Sequence, residues 1–315
     1  MMKRIRTALC LILAAALLAG CAFLPSESEP EALAPADPLT GHPLEWPGQR
    51  PVAVTIENST ASATQWGISS ASVVLEALTE AGMATELCLV YPALAATPKV
   101  GPVAAGQDIY WRLLVGQQPL PVQRGGGQFD QNYLDYYSIR AVDALEAGRT
   151  AFDCGSEWSN APLWYTSGSA VSKVLDALSI SAVLTESRVT SAASAAAASA
   201  SSGSDAVLTV PALLPQEEDG KLPDATAPDA VNVRVCFDDN NATGFAYDPD
   251  SDLYRMLHAD GTPQLDANNG QQAGFDNLLV LFSASVLRDD GRTYDFDLSM
   301  GGGVWLNGGH LWTIT

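Results

Sequence analysis

Cys21 is the residue of this chain with the most clearly defined chemistry. It directly follows Leu18-Ala19-Gly20, and an apolar run from Ala8 to Leu18 comes after cations at positions 3, 4 and 6. A charged start, a short apolar run and small residues before a cysteine are the parts of an export signal with a bacterial lipobox. The thiol at such a site is acylated and the peptide bond before it is cut. The sequence therefore predicts a lipid on Cys21; an ordinary signal peptide with an incidental cysteine is the alternative.

Glu57 and Glu76 are the candidate pair of carboxylates for acid–base chemistry, which requires one carboxyl group to be desolvated beside the other. Glu57 follows the β-rich run Pro51–Ile56, which predicts a strand. Glu76 lies in Ser69–Leu78, whose apolar positions 74, 75 and 78 have helical spacing and predict a short helix. A strand end and a helix can meet. The pair therefore supports a hydrolase as one hypothesis and structural hydrogen bonding to loop amides as the other.

The run Arg124-Gly125-Gly126-Gly127-Gln128 is a candidate loop for contact with a small ligand, because it offers backbone amides and one cation. It follows a predicted strand (Leu120–Gln123) and precedes a predicted helix (Asp130–Tyr137), which is where α/β sheets bind ligands. It lacks the Lys-Ser/Thr of a phosphate loop, so a structural turn is the other interpretation. A second glycine run, Gly301-Gly302-Gly303, predicts a bulge or a tight hairpin.

The chain shows no pattern that predicts a metal or a cofactor. Aspartates at 248, 250 and 252 imitate the start of a calcium loop, but its sixth and twelfth positions hold Leu253 and Ala259 where glycine and glutamate are required, so we expect a solvated turn. The histidines are far apart, and no serine lies in a Gly-x-Ser-x-Gly elbow. Four tryptophans could stack on cell-wall sugars or pack in the core: Trp66, Trp111, Trp158 and Trp164.

Composition describes an acidic chain that folds. Hydrophobic residues make up 47% of the sequence, the mean hydropathy is +0.07 and the formal net charge is -20. Such a surface repels nucleic acid and anionic lipid, so the acyl group is the expected membrane attachment. Cys88 and Cys236 lie in apolar runs that predict buried strands, and a Cys88–Cys154 disulfide is possible.

Composition also divides the chain into segments. We predict a lipoprotein signal peptide over 1–20, a flexible tether over 21–36, an α/β domain over 37–183, a low-complexity linker over 184–229 and a β-rich domain over 230–315. Further strands are predicted over Leu87–Tyr91 and in short runs after Val231, and further helices over Gln107–Val115 and Ser169–Leu178. The predicted fold class is α+β, an α/β layered domain followed by a mostly antiparallel β domain.

The order of several local motifs resembles that of the YerB-like lipoproteins of Gram-positive bacteria, whose body is a two-part domain of unknown function, DUF3048. The resemblance covers nearly all of the chain after Asp37 and makes this sequence a divergent member. It implies an α/β front domain, a β-rich rear domain with a further strand pair beyond Thr315, and no established activity. The motifs that carry it are Asp37–Gly41, Arg50–Asn58, Val73–Glu76, Gly101–Val103, Ala161–Pro162, Tyr247–Arg255, Asp266–Gly270 and Phe275–Val280.

The resemblance also implies a set of ligand-binding positions: Glu57, Asn58, Glu76, Gly125, Gly126 and Tyr165. Arg124 of the glycine-rich loop completes the candidate ligand-binding residues. Cations that the resemblance implies nearby are absent, because this chain has Thr85, Ala104 and Gln107 where arginines are expected, and Gln123 and Leu163-Trp164 where histidines are expected. Each arginine contact with an oxyanion contributes about 1.5–3 kcal/mol. If the family binds an anion with those cations, this chain should no longer bind it.

These observations predict a lipid-anchored lipoprotein on the extracytoplasmic face of the cell membrane of a Gram-positive bacterium. The first functional hypothesis is non-catalytic binding or scaffolding at the cell envelope, with the membrane and an envelope protein or glycan as partners. A hydrolase of a cell-wall or envelope component acting through Glu57 and Glu76 is the alternative, and a paralogue that stabilises a partner protein is a third.

Overall fold

The first sheet is built on two buried runs of β-branched and apolar residues, which form strands β1 (Val52–Glu57) and β3 (Glu86–Tyr91). In the computed structural model, which describes residues 35–59, 64–154, 163–184, 210–214 and 227–314, these strands pair antiparallel. The other strands are β2 (Val73–Ala77), β4 (Leu120–Gln123) and β5 (Val142–Asp143), and the sheet order is β2-β3-β1-β4-β5. Since β1, β4 and β5 run parallel, their carboxyl ends meet at one edge.

The helix predicted over Ser69–Leu78 is wrong. The structure has a single 3-10 turn at Ile68–Ser70 followed by β2, which pairs antiparallel with β3. Both faces of this strand are packed, because Val73 and Leu75 contact one hydrophobic cluster and Val74 contacts the other. A strand covered on both faces reads as a continuous apolar run, and its period of two is then not visible in the sequence.

Among the described residues, four α-helices accompany the first sheet: α1 (Asp108–Leu114), α2 (Gln128–Tyr136), α3 (Ala144–Ala147) and α4 (Gly168–Val171). The first two agree with the predicted helices to within two residues. The helix predicted over Ser169–Leu178 is a single turn, α4, followed by further turns. Ser167 Oγ caps the start of α4 by accepting a hydrogen bond from Ala170 N, but further along the segment Ser172 Oγ donates one to the Ser169 carbonyl. Such local bonds compete with helix propagation.

The chain after residue 227 forms two antiparallel sheets. One contains β6 (Asn232–Cys236), β7 (Ala242–Asp248), β8 (Leu253–Leu257) and β9 (Gly274–Phe275), in that order. The other contains β10 (Asn277–Leu287), β11 (Tyr294–Asn307) and β12 (His310–Ile314). The predicted α+β fold class is confirmed, with a mixed sheet and helices followed by antiparallel sheets.

Gly301-Gly302-Gly303 forms neither a hairpin nor a break between two strands. It lies inside the continuous strand β11, where Gly301 pairs with Ser283 and Gly303 with Leu281. A Cβ atom on Gly301 would overlap the carbonyl oxygen of Phe282, which explains the glycine at this position. The bulge lies next to the glycines: between Gly301 and Phe296, strand β11 contains four residues where β10 contains one.

The first sheet is the middle layer of the molecule. On one face, Ala53, Cys88 and Val90 pack against Tyr110 and Trp111 of α1. The other face continues into one buried cluster with the β-rich half, including Ile56, Leu87, Leu89, Tyr254, Met256, Leu278 and Leu306. The described residues from Ala36 onward consequently form one compact unit.

The cysteines depart from expectation at one position. Cys88 and Cys154 are buried, but Cys236 is exposed, because it lies on the outer face of β6 while Val233 and Val235 on the other face pack against the core. All three are free thiols, so the Cys88–Cys154 disulfide is not formed.

Several predicted segments lie mainly or wholly outside the described residues: the signal peptide with Cys21, the tether and most of the 184–229 linker. In the part of the chain that the structure describes, no helix is both long and apolar enough to cross a membrane.

Candidate functional site

Glu76 lies where the first sheet meets the β-rich half. Its Oε1 atom accepts three hydrogen bonds: from Asn58 Nδ2 at 3.0 Å, from Thr85 Oγ1 at 2.7 Å and from Thr243 Oγ1 at 2.7 Å. Burial raises the pKa of the Glu76 carboxyl, and the three neutral donors offset this only in part. Glu76 thus joins β2 to β7, a structural role that the sequence analysis left open.

Further polar contacts extend this connection into what we call the polar seam, made of Asn58, Gln65, Glu76, Thr243, Gln264 and Asp266. Gln65 Nε2 donates to Asn58 Oδ1 at 3.0 Å, and Gln65 Oε1 accepts from Gln264 Nε2. Asp266 is fully buried, and its carboxylate accepts hydrogen bonds from Gly67 N at 3.0 Å and from Ser69 N at 2.9 Å. The seam therefore links segments that are up to 199 residues apart.

Glu57 and Glu76 project from opposite faces of the first sheet. Glu57 pairs with Glu86 across β1 and β3, whereas Glu76 pairs with Leu87 across β2 and β3. Successive side chains of a strand alternate between the two faces, so Glu57 and Glu86 share one face and Glu76 lies on the other. The structure does not bring Glu57 and Glu76 together as an acid–base pair.

Glu57 stands at the edge where β1 and β4 end, beside Arg124. The two side chains are half-buried, with Arg124 Nη1 at 3.8 Å from Glu57 Oε1. Burial raises the pKa of Glu57, and the positive charge of Arg124 lowers it in part. Its neighbour Glu86 is more strongly affected: burial raises its pKa to about 7, although hydrogen bonds from Gln107 and Thr79 oppose the rise.

The glycine loop after β4 is held in place by hydrogen bonds of its backbone to neighbouring segments. Gly125 N donates to Asp143 Oδ1 at 2.9 Å, and the Gly125 carbonyl accepts from Gly106 N at 2.7 Å. A Cβ atom on Gly126 would overlap the buried carboxylate of Asp130. These contacts favour the structural interpretation of the glycines, while the Arg124 guanidinium stays partly open to solvent.

Tyr165 belongs to an aromatic group that sequence analysis did not assemble. Its ring meets that of Trp66 edge-on, with centroids 6.3 Å apart. Lys99 Nζ lies 3.8 Å from the centroid of the Trp66 ring and 4.7 Å from that of Tyr165, within the range of cation–π attraction. The Glu57 charge contributes to the raised pKa of Tyr165, after burial, so this group adjoins the Glu57–Arg124 pair.

Gly101 holds these groups in place. Trp66 N donates to the Gly101 carbonyl at 2.8 Å, and Glu57 N donates to the Pro102 carbonyl at 2.9 Å. The backbone of Gly101 has φ +147°, and a Cβ there would lie 2.7 Å from the Trp164 carbonyl oxygen, so only glycine fits. We call the five side chains arranged around it the surface patch: Glu57, Trp66, Lys99, Arg124 and Tyr165.

The remaining candidates are placed elsewhere. Asp248 accepts hydrogen bonds from Ser251 Oγ and Arg255 Nε, as expected of a solvated turn. The described residues contain no cluster of acids, histidines and cysteines suited to a metal ion. Trp111 is buried in the core, Trp158 lies outside the described residues, and the Trp164 ring packs edge-on against Phe152. The cleft beside Leu39 and Trp46 has room for about one water molecule.

Two family models match this chain. The N-terminal domain of DUF3048, a protein of unknown function, matches residues 39–181, and its C-terminal domain matches residues 232–315. The chain belongs to the DUF3048 family. The two matched segments contribute opposite sides of the polar seam, because Glu76 lies in the first and Thr243 in the second.

A curated relative and a solved structure agree with this DUF3048 assignment. The chain is similar to the putative lipoprotein YerB of Bacillus subtilis, with 26% identity over 84% of this chain and 72% of the relative. It is also similar to the crystal structure of the YerB protein from Bacillus subtilis, with a TM-score of 0.70, 23% identity and coverage of 89% of this chain and 86% of that one. The second similarity shows a common fold.

The DUF3048 resemblance implied arginines at three positions, and all three lie in the candidate site. Thr85 donates to Glu76, Ala104 is buried with its carbonyl bonded to Arg124 N, and Gln107 bonds to Glu86. Thr85 and Gln107 therefore place neutral side chains beside two carboxyl groups of this DUF3048 chain, those of Glu76 and Glu86. Lys99, Gln65 and Gln264 were not predicted as site residues; the position of Lys99 just before the Gly101–Val103 motif was the available signal for it.

Proposed function

We propose that the protein is a lipid-anchored lipoprotein on the outer face of the membrane of a Gram-positive bacterium, and that its surface patch binds a glycan of the cell envelope without cleaving it. The lipobox-like sequence at Cys21 and the similarity to a putative lipoprotein support the anchor. The chemistry of the patch supports the ligand class.

The observation that carries the proposal is the grouping of aromatic rings with both donors and acceptors on one half-buried surface. Trp66 and Tyr165 offer apolar ring surface, Lys99 and Arg124 offer donors, and Glu57 offers acceptors. Sugars present C–H faces and hydroxyl groups together, so they need this mixture. The acids next to the patch disfavour a polyanionic ligand.

A hydrolase that uses Glu57 and Glu76 has less support, since the two carboxyl groups lie on opposite faces of the sheet. Glycoside hydrolysis needs two carboxyl groups that flank one bond. Under the binding proposal, incubation with purified peptidoglycan sacculi releases no soluble sugar, and steady release of fragments would favour the enzyme.

Replacing Trp66 or Tyr165 by alanine should weaken binding to purified peptidoglycan sacculi about tenfold, because each substitution removes an aromatic surface of the patch. Co-sedimentation of the full chain with sacculi measures this effect. Tyr136→Ala is the matched control, since it removes an exposed aromatic side chain on α2, away from the patch. Equal binding by all four proteins would contradict the glycan assignment.

Cys21→Ser should transfer the protein from the membrane fraction to the soluble fraction, because it removes the thiol that carries the lipid. Cell fractionation followed by immunoblotting measures the distribution. Cys236→Ser is the control, because it removes an exposed thiol other than the one that carries the lipid. Membrane pelleting of a Cys21→Ser variant whose mass shows that the leader has been removed would rule out the anchor.

A further inference from the structure

The five side chains of the surface patch all lie in residues 39–181, which match the N-terminal DUF3048 domain. The backbone next to two of them is nevertheless bonded to the C-terminal domain, residues 232–315. These bonds come from the turn Asp266–Gly270, which lies between β8 and β9 and contributes no side chain to the patch. The patch therefore depends on a segment that does not belong to it.

The Asp266–Gly270 turn bonds to the residues on both sides of Trp66. On one side, Ala267 N donates to the Gln65 carbonyl at 2.9 Å. On the other side, Gly67 N donates to the buried carboxylate of Asp266 at 3.0 Å. Since both neighbours are bonded to the same turn, the backbone that carries the Trp66 ring is fixed.

The same turn bonds to the backbone of Lys99. Asn268 Nδ2 donates to the Lys99 carbonyl at 2.9 Å. The Lys99 ammonium lies 3.8 Å from the centroid of the Trp66 ring and 4.7 Å from that of Tyr165. Holding a long side chain over two rings costs rotamer entropy, which opposes the cation–π attraction. A fixed main chain at Lys99 narrows the positions that its ammonium can reach, and so it favours this one.

We infer that Asn268 is a positioning residue of the surface patch. Through the Lys99 carbonyl it keeps the Lys99 ammonium over the two aromatic rings, and it thereby sets the affinity of the patch for its glycan. An ammonium that is already in place donates to a sugar hydroxyl without first losing rotamer freedom. The statement about affinity rests on the proposed function, whereas the position of Lys99 is measurable without a ligand.

Nuclear magnetic resonance of the full chain carrying Cys21→Ser, with isotope-labelled lysine, tests the position of Lys99. The sequence has four lysines, so the side-chain signals are few, and Lys99→Arg identifies the one of interest. Protons above an aromatic ring resonate upfield. The Lys99 Cε protons should therefore be shifted upfield in the parent protein, and in Asn268→Ala they should move back towards the signals of the other lysines.

Asn269→Ala is the matched control. Asn269 is also exposed in this turn and also donates one side-chain hydrogen bond, but to Ser69 Oγ at 3.1 Å. Because both asparagines are exposed, both variants should fold, and Asn269→Ala should leave the Lys99 signal where it is in the parent. A Lys99 signal that does not move in Asn268→Ala would overturn the inference. An equal movement in Asn269→Ala would also overturn it, since general loosening of the turn would then be the cause.

Co-sedimentation with purified peptidoglycan sacculi tests the consequence for affinity. Loss of one hydrogen bond should raise the dissociation constant of Asn268→Ala about threefold, while Asn269→Ala should bind like the parent. In a chain that already carries Lys99→Met, Asn268→Ala should have no further effect, because the two changes act through one side chain. Unchanged binding by Asn268→Ala in the parent, or a further threefold loss in the Lys99→Met chain, would contradict the positioning role.

The two measurements separate this inference from the proposed function. If no protein binds sacculi but Asn268→Ala still moves the Lys99 signal, the glycan is the wrong ligand and the positioning of Lys99 by Asn268 stands. If the parent binds sacculi and the Lys99 signal is the same in every turn variant, the proposed function stands and the positioning role of Asn268 fails.

Discussion

Asp266→Ala should lower the free energy of unfolding by about 3 kcal/mol, because it leaves several backbone amides without an acceptor. The fully buried carboxylate accepts from Gly67 N at 3.0 Å, Ser69 N at 2.9 Å and Asn268 N at 2.8 Å, and also from Ser69 Oγ at 2.7 Å. Chemical denaturation at neutral pH, followed by tryptophan fluorescence, measures the change. Asp276→Ala, which removes an exposed carboxylate a few residues away, should change stability by less than about 0.5 kcal/mol.

The pH dependence of the stability difference between wild type and Asp266→Ala is a second test of the role of Asp266. Burial raises its pKa, but the hydrogen bonds from the amides of Asn268, Gly67 and Ser69 outweigh burial and hold the pKa below the ordinary value of 3.8. A carboxyl group with a lowered folded pKa stabilises the protein above its unfolded pKa, and this stabilisation is lost as the pH falls through the folded value. The stability gap between wild type and Asp266→Ala should therefore narrow below about pH 3.8. A gap that stays constant into strong acid would show that the carboxylate charge is not involved.

Glu86→Gln should stabilise the protein at pH 8 by about 3 kcal/mol and have little effect at pH 4. Burial raises the folded pKa of Glu86 from 4.5 to about 7. The protonated form is therefore favoured by folding, and its stabilisation is present below pH 4.5 and lost as the pH rises to about 7. Glutamine has the shape of the protonated glutamate but does not ionise, so the variant keeps this stabilisation as the pH rises. Denaturant midpoints of both proteins from pH 4 to pH 8 measure the difference.

Glu146→Gln is the matched control for Glu86. It also removes one negative charge from an acidic chain, but its carboxylate is exposed and pairs with Arg140 at 3.5 Å on the surface. Such pairs contribute about 0–1 kcal/mol, so its stability should follow that of the wild type at every pH. If Glu86→Gln and Glu146→Gln gave the same pH profile, reduced net charge rather than burial of Glu86 would explain the effect.

The sequence predicted the elements whose local pattern agrees with their tertiary environment. Strands β1 and β3 are short β-rich runs, and their predicted bounds agree with the structure to within two residues. Strand β2 was missed because neighbours on both faces bury its side chains, so the alternation is hidden. Strand β7 was missed because Ala242, Gly244 and Ala246 give it little strand propensity, and pairing on both sides supplies its stability.

The candidate site was predictable as a set of residues but not as a geometry. Glu57 and Glu76 were both identified, yet the face on which each lies depends on strand register, which a helix prediction for residues 69–78 could not provide. Thr243 and Asp266 act through contacts 167 and 197 to 199 residues along the chain. No local pattern encodes such contacts, although the Asp266–Gly270 turn chemistry marked the right segment.

The polar seam also couples the folding of the amino-terminal half of the chain to that of the carboxyl-terminal half. Glu76 stays a buried carboxyl group without Thr243, and the amides of Gly67 and Ser69 stay unbonded until Asp266 has emerged. The amino-terminal half therefore lacks these hydrogen-bond partners until the carboxyl-terminal strands are available. Because contacts this distant in sequence form slowly, the emerging chain exposes apolar surface for longer than a chain that folds from one end.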